Sequence, residues 1–166
     1  SLIAITEKLT GFNIDTIKVT DYNAAVEAMR AGRAHIAWYG GKTYVKAAEI
    51  AGAEAFAAGV RPGEKDAGYY TYFVVKQDSE LKKFTDVKGK ILSLNTIGST
   101  SGDLIPQVEL SKINLSIKNK DDFENVFYAG SHDACLLAVL NNQSDVCGMS
   151  SRNYEARLED GTFKED

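Results

Sequence analysis

The sequence predicts an α/β fold in two lobes, each built on a mostly parallel sheet. Short apolar or alternating runs that suit strands take turns with amphipathic runs that suit helices along the whole chain. Glycines or N-capping residues stand at most of the handovers, as at Gly11, Asp21, Gly32 and Gly52. A polar stretch, 77–89, breaks the alternation and divides the 166 residues into a first lobe at 1–76 and a second at 90–166, with 77–89 as the hinge region.

In order, residues 1–9 read as the end of a helix stopped by Gly11. "DTIKVT" (15–20) alternates as a strand does. Asp21 caps a helix with Ala24, Ala25, Val26 and Met29 on its apolar face, ending at Gly32. "HIAWYG" (35–40) is a short strand, 42–52 a helix and "AFAAGV" (55–60) another strand. "RPGEKDAG" (61–68) combines turn formers with charge and reads as an exposed loop. "YYTYFVVK" (69–76) is β by composition. The second lobe repeats the alternation: strand at 91–94, helix from 103, strand at 124–129, helix at 131–142, strand at 144–149, helix at 151–160.

Composition excludes several classes. Apolar residues at 44% and charged ones at 25% match a folded globular chain. A net charge of −4 argues against a nucleic-acid partner, which needs a basic stripe. No apolar run approaches the roughly 18 residues of a spanning helix, and "SLIAITEKLTGFNI" lacks the layout of a secretion signal. Cys135 and Cys147, with two histidines and no Cys-x-x-Cys, give no metal-site spacing; the plain expectation is a pair of buried, inert thiols, with pairing left to geometry. Neither metal nor cofactor is expected. The second half holds ten basic and fourteen acidic side chains, so an anion there needs local donors rather than an overall field.

Ligands in open α/β sheets sit at the carboxyl ends of strands. Four such ends carry suggestive residues: Tyr39-Gly40-Gly41, Gly98-Ser99-Thr100-Ser101-Gly102, Gly130-Ser131-His132 and Ser150-Ser151-Arg152. Free amides of a first helical turn carry partial positive charge, glycine lets backbone come close, and hydroxyls rotate to suit an oxyanion. The hydroxyl loop therefore suits either an anion cradle or a simple cap, with Ser101 or Thr100 as the capping residue. His132 can donate to an oxyanion or close a cap; Tyr39, Tyr69 and Tyr70 offer phenols or aromatic walls. A hydrolase reading takes Ser99 or Ser101 with His132 and Asp133, but adjacent His and Asp side chains diverge. In a Gly-x-Ser-x-Gly elbow the central residue here is Thr100.

Four segments then carry a resemblance: "AHIAWYGGKTYVKA", "AGYYTYFVV", "DVKGKILSLNTIGSTSG" with "LIP", and "YAGSHDACLLAVLNNQSDV". In this order and spacing, from about residue 15 to 158, the chain resembles the periplasmic binding proteins of phosphate/phosphite/phosphonate ABC transporters. The resemblance implies a type II, two-lobed receptor that binds without chemistry, acts as a monomer and passes its cargo to a membrane permease. It also implies a periplasmic or lipid-anchored, cell-surface location. By position, Ser99, Thr100, Ser101 and His132 would hold the oxygens of a phosphorus oxyanion, and Tyr39 and Tyr69 would approach from the first lobe. Gly98, Gly102, Ser131 and Arg152 are secondary candidates. Members of the family are longer, so the chain is expected to be incomplete at both ends. Where aminophosphonate-binding members place an acid, this chain has Arg152, which moves the expected cargo toward phosphite, phosphate or a simple alkylphosphonate. The alternative reading is an effector-sensing domain of a regulator with the same fold.

Overall fold

The computed structural model describes residues 2–19 and 21–162. Ser1, residues 163–166 of the expected second lobe and Thr20, the last residue of the expected strand 15–20, lie outside them. The helices are α1 (Leu2–Thr10), α2 (Tyr22–Arg30), α3 (Gly41–Ala51), α4 (Ile105–Lys112), α5 (His132–Leu140) and α6 (Ser151–Glu159). The strands are β1 (Thr71–Val74), β2 (Ile91–Leu94), β3 (Asn125–Tyr128) and β4 (Val146–Ser150).

The strands form one sheet in the order β1-β4-β2-β3. β2 pairs in parallel with β3 and β4, while β1 runs antiparallel on the outer side of β4. Parallel pairing needs helical crossovers, and α4 and α5 supply them on opposite faces. Alternation along the strands sorts the core. Leu92, Leu94 and Val146 face one way, with Leu110 of α4, Leu115 and Phe123. Cys147 and Met149 face the other, with Cys135, Leu136 and Val139 of α5. Gly148 stands where a Cβ would come within 3.0 Å of Pro106, so its lack of a side chain lets α4 lie close to β4. The stretch 77–89 carries Leu81, Phe84 and Val87 into the first of these clusters, and β1 before it joins the same sheet.

The first half departs from expectation. Of its expected strands, 15–19, 35–40 and 55–60 form no ladder, so the described residues hold one sheet, not one per lobe. A strand exists only by exchanging hydrogen bonds with a neighbour, and β-propensity by itself supplies none. Within these segments Trp38 and Phe56 are 73% and 80% exposed. The helices follow their signals closely. Asp21 accepts from Ala24 N at 2.9 Å, and Gly52 ends α3 in the left-handed conformation at φ +64°. α2 packs on α3 with Val26, Ala28 and Ala47 buried between them.

The cysteines are not inert thiols. Cys135 and Cys147 form a disulfide that ties α5 to β4 across 12 residues. Sequence distance conceals the match: Cys147 points to the α5 face of β4, directly under Cys135. Cross-linking a loop of this length stabilises by about 3 kcal/mol. Replacing both cysteines with alanine should lower the urea-unfolding free energy by about 2–4 kcal/mol, and dithiothreitol should destabilise the native protein but not that variant.

Candidate functional site

Three glycine-bounded turns and a strand end meet at one cleft between the halves, of about 910 Å³. β2 ends at Leu94, and Asn95 and Thr96 lead into a turn that Gly98 makes possible at φ +100°. Thr100–Leu104 then form a single π-helical turn that runs directly into α4. Such turns loosen the hydrogen-bond ladder at a helix start and recur at functional sites. Ser99 is the cap, not Ser101 or Thr100: its Oγ accepts from Gly102 N at 3.0 Å. Gly102 stands three residues after Ser99, and its N is the amide an N-cap hydroxyl ordinarily reaches. Gly102 is fixed by crowding, since a Cβ there would lie 2.3 Å from the Asn95 Cβ and 3.1 Å from the His132 ring.

That arrangement leaves donors over. Ser101 is buried and its hydroxyl has no partner among the described residues, while Thr100 Oγ1 accepts from Lys42 N at 2.9 Å and keeps its proton. Gly40, at the start of α3, approaches so near that a Cβ would stand 2.9 Å from Thr100 Oγ1 and 3.5 Å from the Tyr69 hydroxyl. The first turns of α3, of the 100–112 helix and of α6 thus all open on the same space, through Gly40, Thr100, Ser101 and Ser150. Each presents amides with no helical acceptor and partial positive charge.

Other expected residues are placed differently. His132 lines the cleft, but its Nδ1 accepts from Ser150 N at 3.3 Å and its Nε2 lies 3.0 Å from the Asn95 carboxamide. Burial lowers its pKa, outweighing the nearby Asp133 charge, so the ring is neutral at pH 7. The Tyr39 ring also lines the cleft, yet its hydroxyl donates to Ala25 O at 3.2 Å, and burial raises its pKa. Ser131 caps α5 by accepting from Ala134 N at 3.0 Å and does not line the cleft. Arg152 reaches the rim, where its guanidinium lies 5.7 Å from the Tyr69 ring centre and donates to the carbonyls of Gly59, Ala67 and Gly68. No hydrogen bond joins His132 to Ser99 or Ser101 among the described residues, and Asp133 pairs with Arg157 at 2.7 Å. The residues of a hydrolytic triad are therefore present but not assembled.

The loop is anchored by a residue that its sequence pattern did not mark as functional. Asp103 is 1% exposed and accepts from Lys42 Nζ at 2.5 Å, Gly98 N at 3.0 Å, Gln107 Nε2 at 2.6 Å and Tyr128 OH at 2.7 Å. Burial pushes its carboxyl pKa up, but the Lys42, Gly98 and Tyr128 hydrogen bonds together with the Lys42 charge win and hold it below the usual range. Tyr128 responds in the opposite direction, raised by burial and then by its bond to Asp103. A depressed folded-state pKa stabilises fully above the unfolded carboxyl's value of about 4. The contribution disappears as pH falls from there through the lower folded-state value. Asp103→Asn should cost about 3 kcal/mol at pH 7 by urea unfolding. The gap from wild type should close as the pH of the measurement falls below about 4.

The family model described as the periplasmic substrate-binding protein of phosphonate ABC transporters matches residues 2–166. The phosphonates-binding periplasmic protein of Escherichia coli (strain K12) is 32% identical over 155 residues, covering 90% of this chain and 44% of that protein. A phosphate-import protein of Mycolicibacterium smegmatis is 30% identical over 152 residues, covering 87% and 47%. The chain thus spans about half the length of the curated relatives it matches. A crystal structure of a binding-protein component of an ABC phosphonate transporter from Pseudomonas aeruginosa superposes with a TM-score of 0.83 at 26% identity, covering 95% of this chain and 52% of that one. A Prochlorococcus marinus protein solved with methylphosphonate shares the fold, with a TM-score of 0.79 at 22% identity over 97% and 60%. The chain belongs to the periplasmic substrate-binding protein family of phosphonate ABC transporters.

Proposed function

We propose that this chain forms the anion-gripping part of a receptor that captures a phosphorus oxyanion in the cleft and hands it to an ABC permease. The observation that carries the reading is the convergence of three helix N-termini on one space that also holds the unspent hydroxyls of Thr100 and Ser101. Backbone amides and rotatable hydroxyls can saturate the oxygens of a tetrahedral anion without a fixed countercharge. Tyr69 adds a phenol from the opposite side, next to Thr100. Ser99 and His132 form the wall behind the hydroxyls, and Tyr39 supplies an aromatic face. The reading is of binding without turnover; among the described residues no hydrogen bond joins His132 to Ser99 or Ser101.

The relatives named for phosphonate and phosphate import, and the one solved with methylphosphonate, support phosphorus chemistry for the cargo. Arg152 at the rim adds positive charge and disfavours an ammonium-bearing ligand, so phosphite, phosphate or a simple alkylphosphonate is the preferred cargo. The Cys135–Cys147 disulfide suits an oxidising compartment, in keeping with a periplasmic or cell-surface location.

Calorimetric titration of the full-length protein with phosphite, phosphate, methylphosphonate, 2-aminoethylphosphonate and sulfate tests the reading. One of the first three should bind tightest and sulfate least; silence across the panel from folded protein would overturn it. The two serines should separate. Ser101→Ala should weaken that ligand by about tenfold or more, with stability held within about 0.5 kcal/mol. Ser99→Ala, which removes the cap, should cost about 1 kcal/mol of stability.

A further inference from the structure

Lys42 and Asp103 do not line the cleft, yet they join its two sides beside the hydroxyl loop. Lys42 stands in the first turn of α3, and Asp103 in the π-helical turn that Thr100 opens. Three hydrogen bonds run from this turn of α3 to the loop. Lys42 Nζ donates to Asp103 Oδ2 at 2.5 Å, Lys42 N to Thr100 Oγ1 at 2.9 Å and Thr43 Oγ1 to Gly98 O at 3.1 Å. Gly40 makes the seat possible, since a Cβ there would press on Thr100 Oγ1 at 2.9 Å. Among the described residues, the one other hydrogen bond between 21–58 and 90–162 is a long one, Asn95 to the Tyr22 hydroxyl at 3.5 Å.

The donors of Asp103 divide unequally between the halves. Gly98 N, Gln107 Nε2 and Tyr128 OH belong to the second half and stay with the carboxylate wherever α3 goes. Lys42 alone of the four comes from the first half, and its side chain is 33% exposed against 2% for that of Asp103. When α3 lifts away, water hydrates the ammonium strongly and the carboxylate keeps three of its four hydrogen bonds. The pair can therefore break and re-form without stranding a buried charge. Thr100 links it to the cleft: its oxygen accepts from Lys42 N, which leaves its proton for an anion.

We infer that the first turn of α3 and the 98–103 loop form a latch, with the Lys42–Asp103 ion pair as its breakable contact. The latch holds the cleft closed before cargo arrives and sets how fast cargo leaves. This rests on the reading of the cleft as an anion site. Latch and cargo bridge the same two sides through Thr100, so each strengthens the other.

The test joins small-angle X-ray scattering to stopped-flow kinetics in the full-length protein. Without ligand, Lys42→Met should have a larger radius of gyration than wild type. Equal radii overturn the inference whether or not any anion binds. With methylphosphonate, phosphite or phosphate, whichever binds wild type, the same variant should release ligand about five- to tenfold faster. Lys42→Arg, which keeps the ion pair, should leave both readouts near wild type. A larger radius with unchanged release overturns the control of release. A loss confined to the association rate would mark lost steering by the Lys42 charge and overturn it too. Should the methionine variant not fold, Lys42→Gln removes the charge, keeps a polar head and is read in the same way. If wild type binds none of the three anions, the functional reading fails, and the radius of the ligand-free protein still decides the latch.

Discussion

The buried carboxylate of Asp103 is the constraint on which the cleft depends. A charge removed from water must be compensated where it sits, and its four donors come from four parts of the chain. Gly98 N fixes the turn before the hydroxyls, Gln107 belongs to α4, Tyr128 ends β3, and Lys42 reaches across from α3. Loop, helix, sheet and first half are therefore set by one atom pair. Two further links, Lys42 N to Thr100 Oγ1 at 2.9 Å and Thr43 Oγ1 to Gly98 O at 3.1 Å, repeat the connection. The acid sits one turn behind the hydroxyls and does not line the cleft, so its charge organises the site without occupying it.

The same economy appears in the choice of donors. The second half is net acidic, yet its cleft wall offers amides, hydroxyls and a neutral imidazole rather than opposing ions. Under the proposed reading, fixed dipoles of this kind would hold an anion and require little rearrangement when it arrives. On that reading they would also count oxygens, because a P–H or P–C group turned toward a donor leaves that donor unpaired. Charged side chains remain at the margins, where Arg152 ties down the loop before β1 and Arg61 pairs with Glu155.

Rigidity comes from behind the wall. The disulfide joins α5 to β4, and these two elements also supply His132 and the Ser150 amide that bonds to it. The first half is held differently, through α3 and the arginine contacts of α6. Its unpaired segments leave Ile36, Trp38 and Phe56 open, since no strand among the described residues pairs with them.

How much of this was legible depends on the range of the interaction. Helix ends were written locally: Asp21 and Ser131 cap through their own side chains, and Gly52 adopts a left-handed turn that few other residues tolerate. The hydroxyl loop stood out because its residue types are unusual together and it lies between a strand and a helix. Asn95 and Asp103 were adjacent to it but silent, because a polar residue beside a loop is ordinary until its burial is known. Lys42 gave no signal at all, being 61 residues from the carboxylate it meets. The sequence by itself determined the order of elements, most of their caps and the chemistry available at each strand end, since these follow from contacts a few residues apart. Only the tertiary structure decided which strands found partners, that the cysteines join and that His132 Nδ1 meets the Ser150 amide. Each of those depends on groups that meet across long stretches of chain, where spacing in sequence carries no information about distance in space.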